Sequence, residues 1–77
     1  MRIETLENFI AISREESISL AAEKMHISQP ALSQQLASME KELGAKLFVR
    51  DTRKLKLTDA GMIVQRKAAE ILSLYQE

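Results

Sequence analysis

Two helix starts separated by a very short turn constrain this chain more than any other feature. Ser17 has the chemistry of an N-cap for a short helix running to about Met25. Ala21 and Ala22 lie near the middle of that helix, where small residues let another helix approach closely, and Ile18 and Met25 extend its apolar side. His26-Ile27 makes a brief connection. Ser28 then caps a third helix, and Pro30 falls in its first turn, where no backbone N–H is needed. Leu32, Leu36, Met39 and Leu43 follow at spacings of four, three and four, an apolar stripe expected in the core, and Gly44 ends the helix. Two helices joined by so short a turn, with small residues in the first, suit helix-turn-helix packing.

The flanking segments complete a small architecture. Ile3, Leu6, Phe9 and Ile10 give the stripe of an amphipathic first helix extending to about Arg14, with Glu4 and Glu7 in its first turns. After Gly44, Lys46–Arg50 is a strand candidate, Asp51–Lys54 a turn, and Leu55-Lys56-Leu57 a second strand with alternating polarity. A lone hairpin is marginal and must lean on the helices. Thr58 caps a last helix with Asp59 in its first turn. Val64, Ala68, Ile71 and Tyr75 run along that helix at spacings of four, three and four, a seam of heptad type. Ile63, Leu72 and Leu74 widen the apolar surface beyond what one small domain needs to cover, so a second subunit is expected on it. The expected fold is mainly α: a winged helix-turn-helix with a three-helix core, a two-stranded β-hairpin wing and a C-terminal linker helix. The expected division is residues 1–57 as the winged unit and 58–77 as the start of a linker or dimerisation helix, cut from a longer protein.

Composition narrows the chemistry. Seventy-seven residues support one small domain. There is no cysteine, which fits a reducing cytosol and leaves no thiolate ligand or thiol nucleophile. The single histidine, His26, sits at the helix-turn junction and reads as a packing or capping residue, since a metal site needs three or four ligands. It is equally ill placed for a catalytic triad, so no enzyme activity and no cofactor are expected. No apolar run approaches the roughly 20 residues of a membrane span, and Met1-Arg2-Ile3-Glu4 leads into amphipathic sequence rather than a signal peptide.

Net charge is zero, but the charge is unevenly placed. Residues 1–45 carry a balance of −3 and residues 46–77 a balance of +3. Lys46, Arg50, Arg53, Lys54 and Lys56 stand against Asp51 alone, which makes residues 46–56 a +4 cluster. Such a cluster can hold phosphates where the average charge does not. The first half of the third helix is different. Gln29, Ser33, Gln34 and Ala37 fall largely off its apolar stripe, so its exposed face is built of amides, a hydroxyl and small groups. In a helix-turn-helix the second helix lies in the major groove with its N-terminal residues at the base edges. Gln can pair with adenine N6 and N7, Ser with several bases, and Pro30 and Ala31 offer apolar surface to a thymine methyl group. The basic hairpin would flank it on phosphates or the minor groove. A winged-helix module that serves only protein interaction is the alternative; the +4 wing and the uncharged helix face argue against it.

The run Ala21-Ala22-Glu23-Lys24-Met25-His26-Ile27-Ser28-Gln29-Pro30-Ala31-Leu32-Ser33 resembles the helix-turn-helix signature of the LysR family of bacterial transcription regulators. The resemblance continues through Gln35, Leu36, Met39-Glu40, Leu43-Gly44, Leu47-Phe48 and Arg50, and through Leu57-Thr58 and Ala60-Gly61. It implies a cytoplasmic, N-terminal DNA-reading head of a longer regulator whose missing C-terminal part binds a small-molecule effector. It further implies a homodimer through the linker helix, facing a dyad-symmetric, often AT-rich promoter site. By position, Gln29, Pro30, Ser33 and Gln34 would face bases, and Ser28, Arg50, Arg53 and Lys54 would hold the backbone or reach a groove. Many members carry Arg, a good guanine reader, where this chain has Gln34, which shifts the expected preference toward adenine or toward weaker readout. Met39 stands where Leu is commoner, a mild change in the core.

Overall fold

The computed structural model describes residues 1–76. Its elements are α1 (Ile3–Glu15), α2 (Ile18–Met25), α3 (Gln29–Leu43), β1 (Phe48–Asp51), β2 (Lys54–Leu57) and α4 (Asp59–Tyr75). The three caps read from sequence form as side-chain hydrogen bonds. Ser17 Oγ accepts from the Leu20 N–H, Ser28 Oγ from Ala31, and Thr58 Oγ1 from Gly61. Each satisfies one of the unpaired N–H groups at a helix start, a contribution of about 1 kcal/mol. The helix ends are set by left-handed residues: Glu16 after α1 (φ 55°), His26 after α2 (φ 60°) and Gly44 after α3 (φ 71°).

α1 is the central helix, with α2, α3, α4 and β2 packed around it. Its buried face is therefore broader than a simple stripe. Leu6, Phe9 and Ile12 are buried, Ile3 and Ile10 only partly, and the polar Asn8 is buried beside them. Phe9, Ile12, Leu32 and Leu47 are the largest fully buried side chains, each contributing about 1.5–3 kcal/mol by leaving water. Leu32 and Met39 from α3 join this core, and Leu36 lies half-buried against it. Leu43 does not join; it is exposed in the last turn of α3.

The two strands form an antiparallel hairpin with Phe48 opposite Leu57 and Asp51 opposite Lys54. The first strand begins two residues later than the sequence suggests. Leu47 is withheld from the ladder because its N–H donates to Glu40 Oε2 (2.8 Å) and its carbonyl accepts from the Thr58 N–H (3.0 Å). These bonds pin the hairpin between α3 and α4. The turn shrinks to Thr52-Arg53, because Asp51 and Lys54 still pair. Phe48 packs against Phe9 with ring centroids 5.3 Å apart and the ring planes tilted by 45°, and the Leu55 N–H donates to the Glu16 carbonyl (3.0 Å). Those contacts fix the hairpin to α1 and to the α1–α2 corner.

α4 closes the other side of α1. Ala68 is buried, Val64 and Leu72 pack against the core, and Gln65 Nε2 donates to Ser13 Oγ on α1 (3.2 Å). Gly61 is required at the start of α4. A Cβ there would run into the Leu47 carbonyl oxygen and meet Leu57 Cδ2 at 2.9 Å. No helix of the described residues is long and apolar enough to cross a membrane.

Candidate nucleic-acid interface

The first two turns of α3 stand out from the domain. Ser28, Gln29, Pro30, Ala31 and Gln34 are exposed and Ser33 is half-exposed, while Leu32 between them is buried. One buried anchor therefore holds the helix while the residues around it face outward. Among the described residues, Gln29, Ser33 and Gln34 make no side-chain hydrogen bond to the rest of the chain, so their donors and acceptors remain available. Ser28 is partly committed. Its oxygen accepts from Ala31 (3.2 Å), and its own hydroxyl proton stays free to donate. Gln35, the next amide along, is committed to Asn8 (2.6 Å) and belongs to the interior side of α3.

The hairpin charges divide in a way that sequence does not reveal. Lys46 Nζ lies 3.8 Å from Glu40, Lys54 Nζ 3.7 Å from Glu16, and Lys56 Nζ 3.5 Å from Asp51. Arg50 and Arg53 are exposed and have no carboxylate partner among the described residues. The cluster thus reduces to two free arginines and three lysines each accompanied by a carboxylate. The Lys54 and Lys56 pairs are exposed and contribute little stability, but all three carboxylates reduce the local field. Lys54, expected among the wing contacts, sits beside Glu16 at the α1–α2 corner and shares its charge there. Thr52, at the hairpin tip, holds φ 61° with a β-branched side chain, which is unusual backbone for such a residue.

The expected seam on α4 also divides. Ala68 is 1% exposed and part of the domain's own core, because α4 lies along α1 at that point. Ala68 thus serves the monomer and is closed to a second subunit. Val64 is half-buried against the same core. Ile71 and Tyr75 are exposed, as are Met62, Ile63 and Leu74, the last at 76%. The open apolar surface of α4 is therefore rotated from the heptad seam toward Ile63, Ile71 and Leu74.

The residues that sequence reading missed are Asn8, Gln35 and Glu16. Asn8 carried a signal, a polar residue directly before Phe9 on the face of α1 that is buried. Glu16 had none, since its partners are Leu55 and Lys54, distant in the chain.

Comparison with known proteins places this arrangement. The sequence pattern described as "Bacterial regulatory helix-turn-helix protein, lysR family" matches residues 3–62. The HTH-type transcriptional regulator TfdT of Cupriavidus pinatubonensis (strain JMP 134 / LMG 1197) is 41% identical over 76 residues, which is 99% of this chain and 33% of that protein. This chain therefore spans about a third of the length of that relative. Among solved structures, the BenM DNA-binding domain in complex with catB site 1 DNA superposes with a TM-score of 0.93 at 37% identity, over 99% of this chain and 85% of that one. The CbnR DNA-binding domain in complex with DNA superposes with a TM-score of 0.92 at 34% identity, over 99% and 87%. With the pattern matched over most of its length and the winged architecture in place, this chain belongs to the LysR family of bacterial helix-turn-helix transcriptional regulators.

Proposed function

We propose that this chain is the DNA-reading head of a transcription regulator, with the first turns of α3 in the major groove and the hairpin on the flanking backbone. The observation that carries this reading is the uncommitted polar set on α3. Gln29, Ser33 and Gln34 are outward-facing and uncharged and make no side-chain hydrogen bond among the described residues, which suits base edges better than bulk water. Pro30 beside them offers apolar surface. Arg50 and Arg53 supply phosphate or groove contacts, Ser28 a single hydroxyl donor, and Lys54 a weaker, shared charge. The DNA-bound structures of BenM and CbnR domains support the same reading through their likeness to this chain.

The head works as half of a symmetric pair. The helix α4 (Asp59–Tyr75) serves as the start of a linker: its first half also closes the core of residues 1–57, and its exposed Ile63, Ile71, Leu74 and Tyr75 meet a second subunit, while Glu77 of the expected 58–77 segment lies outside the described residues. In the full-length regulator, a C-terminal part outside this chain receives the small-molecule effector, and the protein acts in the bacterial cytoplasm at a dyad-symmetric promoter. Replacement of Gln29 tests the reading head. A duplex selected from a random pool by the wild-type chain should lose about 1–3 kcal/mol of binding free energy with Gln29→Ala, and random duplex much less. Equal losses on both duplexes would remove Gln29 from the base-reading set.

A further inference from the structure

Asn8 is the one buried polar side chain of the described core, 8% exposed between Leu6, Phe9 and Ile12. Its Nδ2 donates to Gln35 Oε1 at 2.6 Å, a direct link from α1 to α3. Apart from the Thr5 hydroxyl, the surroundings are apolar. Thr5, Phe9, Ile12, Leu32, Leu36 and Met39 enclose the same small space. Apolar contacts of this kind are non-directional, so they limit the rotation of one helix on another less sharply than a polar pair does. A hydrogen bond between two amides at one point tolerates little change in distance or angle. Gln35 directly follows Gln34, and a rotation of α3 that broke the Asn8 bond would swing Gln29, Ser33 and Gln34 by the same angle.

We infer that Asn8 and Gln35 are positioning residues that set the roll and register of α3 and thereby determine which base edges its outward amides reach. This inference rests on the DNA-reading function proposed above. It makes Asn8, remote from the outward face, a determinant of sequence preference without DNA contact. An unpaired buried amide is costly, whereas an apolar pair of similar shape can be nearly neutral in stability. The pair can therefore be retained for direction when hydrophobic replacement would hold the fold equally well.

The test measures thermal stability of the chain and its affinity for two duplexes, one selected from a random pool by the wild type and one of scrambled sequence. In the double variant Asn8→Leu/Gln35→Met the melting temperature should stay near that of the wild type. Affinity for scrambled duplex should also stay near wild type, while preference for the selected duplex falls about tenfold, the loss of one good base contact. A folded double variant with wild-type preference would overturn the inference. So would equal weakening on both duplexes, the mark of a merely structural role. Should that variant not fold, Asn8→Gln/Gln35→Asn decides, since it keeps both amides and moves one methylene across the pair. It should retain preference within about threefold, well inside the value of one contact, and loss of preference would overturn the inference. If the wild type prefers neither duplex, the DNA-reading function falls and this inference with it. If the wild type prefers the selected duplex and the apolar pair does equally, only the positioning role falls.

Discussion

Thr52 holds a left-handed backbone at the tip of the hairpin, φ 61°, where its branched Cβ crowds the chain. Backbone of this kind costs of order 1–3 kcal/mol in a non-glycine residue and persists only where its surroundings impose it. Here the imposing elements are the Asp51–Lys54 pair and the two-residue loop it leaves. Thr52→Gly should relieve that cost and stabilise the domain by about 1 kcal/mol, seen as a raised melting temperature. A lowered melting temperature would mean that the hydroxyl or methyl group makes a stabilising contact of its own. At this scale the sequence was legible where the cause is local. Ser17, Ser28 and Thr58 cap because a hydroxyl reaches an N–H a few residues away. Thr52 was not legible, since its strain depends on which residues pair across the ladder.

The hairpin shows what is decided between elements. Its composition marked it as basic, but the availability of its charges follows from neighbours that only folding supplies: Glu40 of α3, Glu16 at the α1–α2 corner and Asp51 on the facing strand. Arg53→Ala should therefore reduce the slope of log affinity against log salt by about one on any duplex, as expected for one lost phosphate contact. Lys54→Ala should reduce it less, because the charge removed is already shared with Glu16. Equal reductions would place Lys54 on phosphate in the complex and make the Glu16 pair incidental. Leu43 and Leu47 carry the same lesson. Both read as apolar members of regular elements, yet Leu43 is exposed in the last turn of α3 and Leu47 leaves the strand to be bonded by Glu40 and Thr58. Periodicity identified the helices and could not say where each one runs out of neighbours.

At the scale of the whole molecule, α4 carries apolar residues on two different faces. Gly61, Val64 and Ala68 face the domain, and Ile63, Ile71 and Leu74 face away from it. A heptad count along the sequence merges the two, because it cannot tell which apolar residues α1 will claim. Leu74→Glu leaves the core untouched and should convert a dimer to a monomer in sedimentation experiments. Affinity for a dyad-symmetric duplex should then fall by about 100-fold or more, the scale on which two linked modules exceed one. An unchanged sedimentation coefficient would move the subunit contact away from this face. Base reading by the first turns of α3 can be read out in one titration. The wild-type chain is titrated against its selected duplex and a scrambled duplex of equal length at several salt concentrations. Steep salt dependence is expected on both, with tighter binding of the selected duplex by about 10³-fold, the lower range for specific readers. Equal affinity for the two duplexes at every salt concentration would contradict base reading.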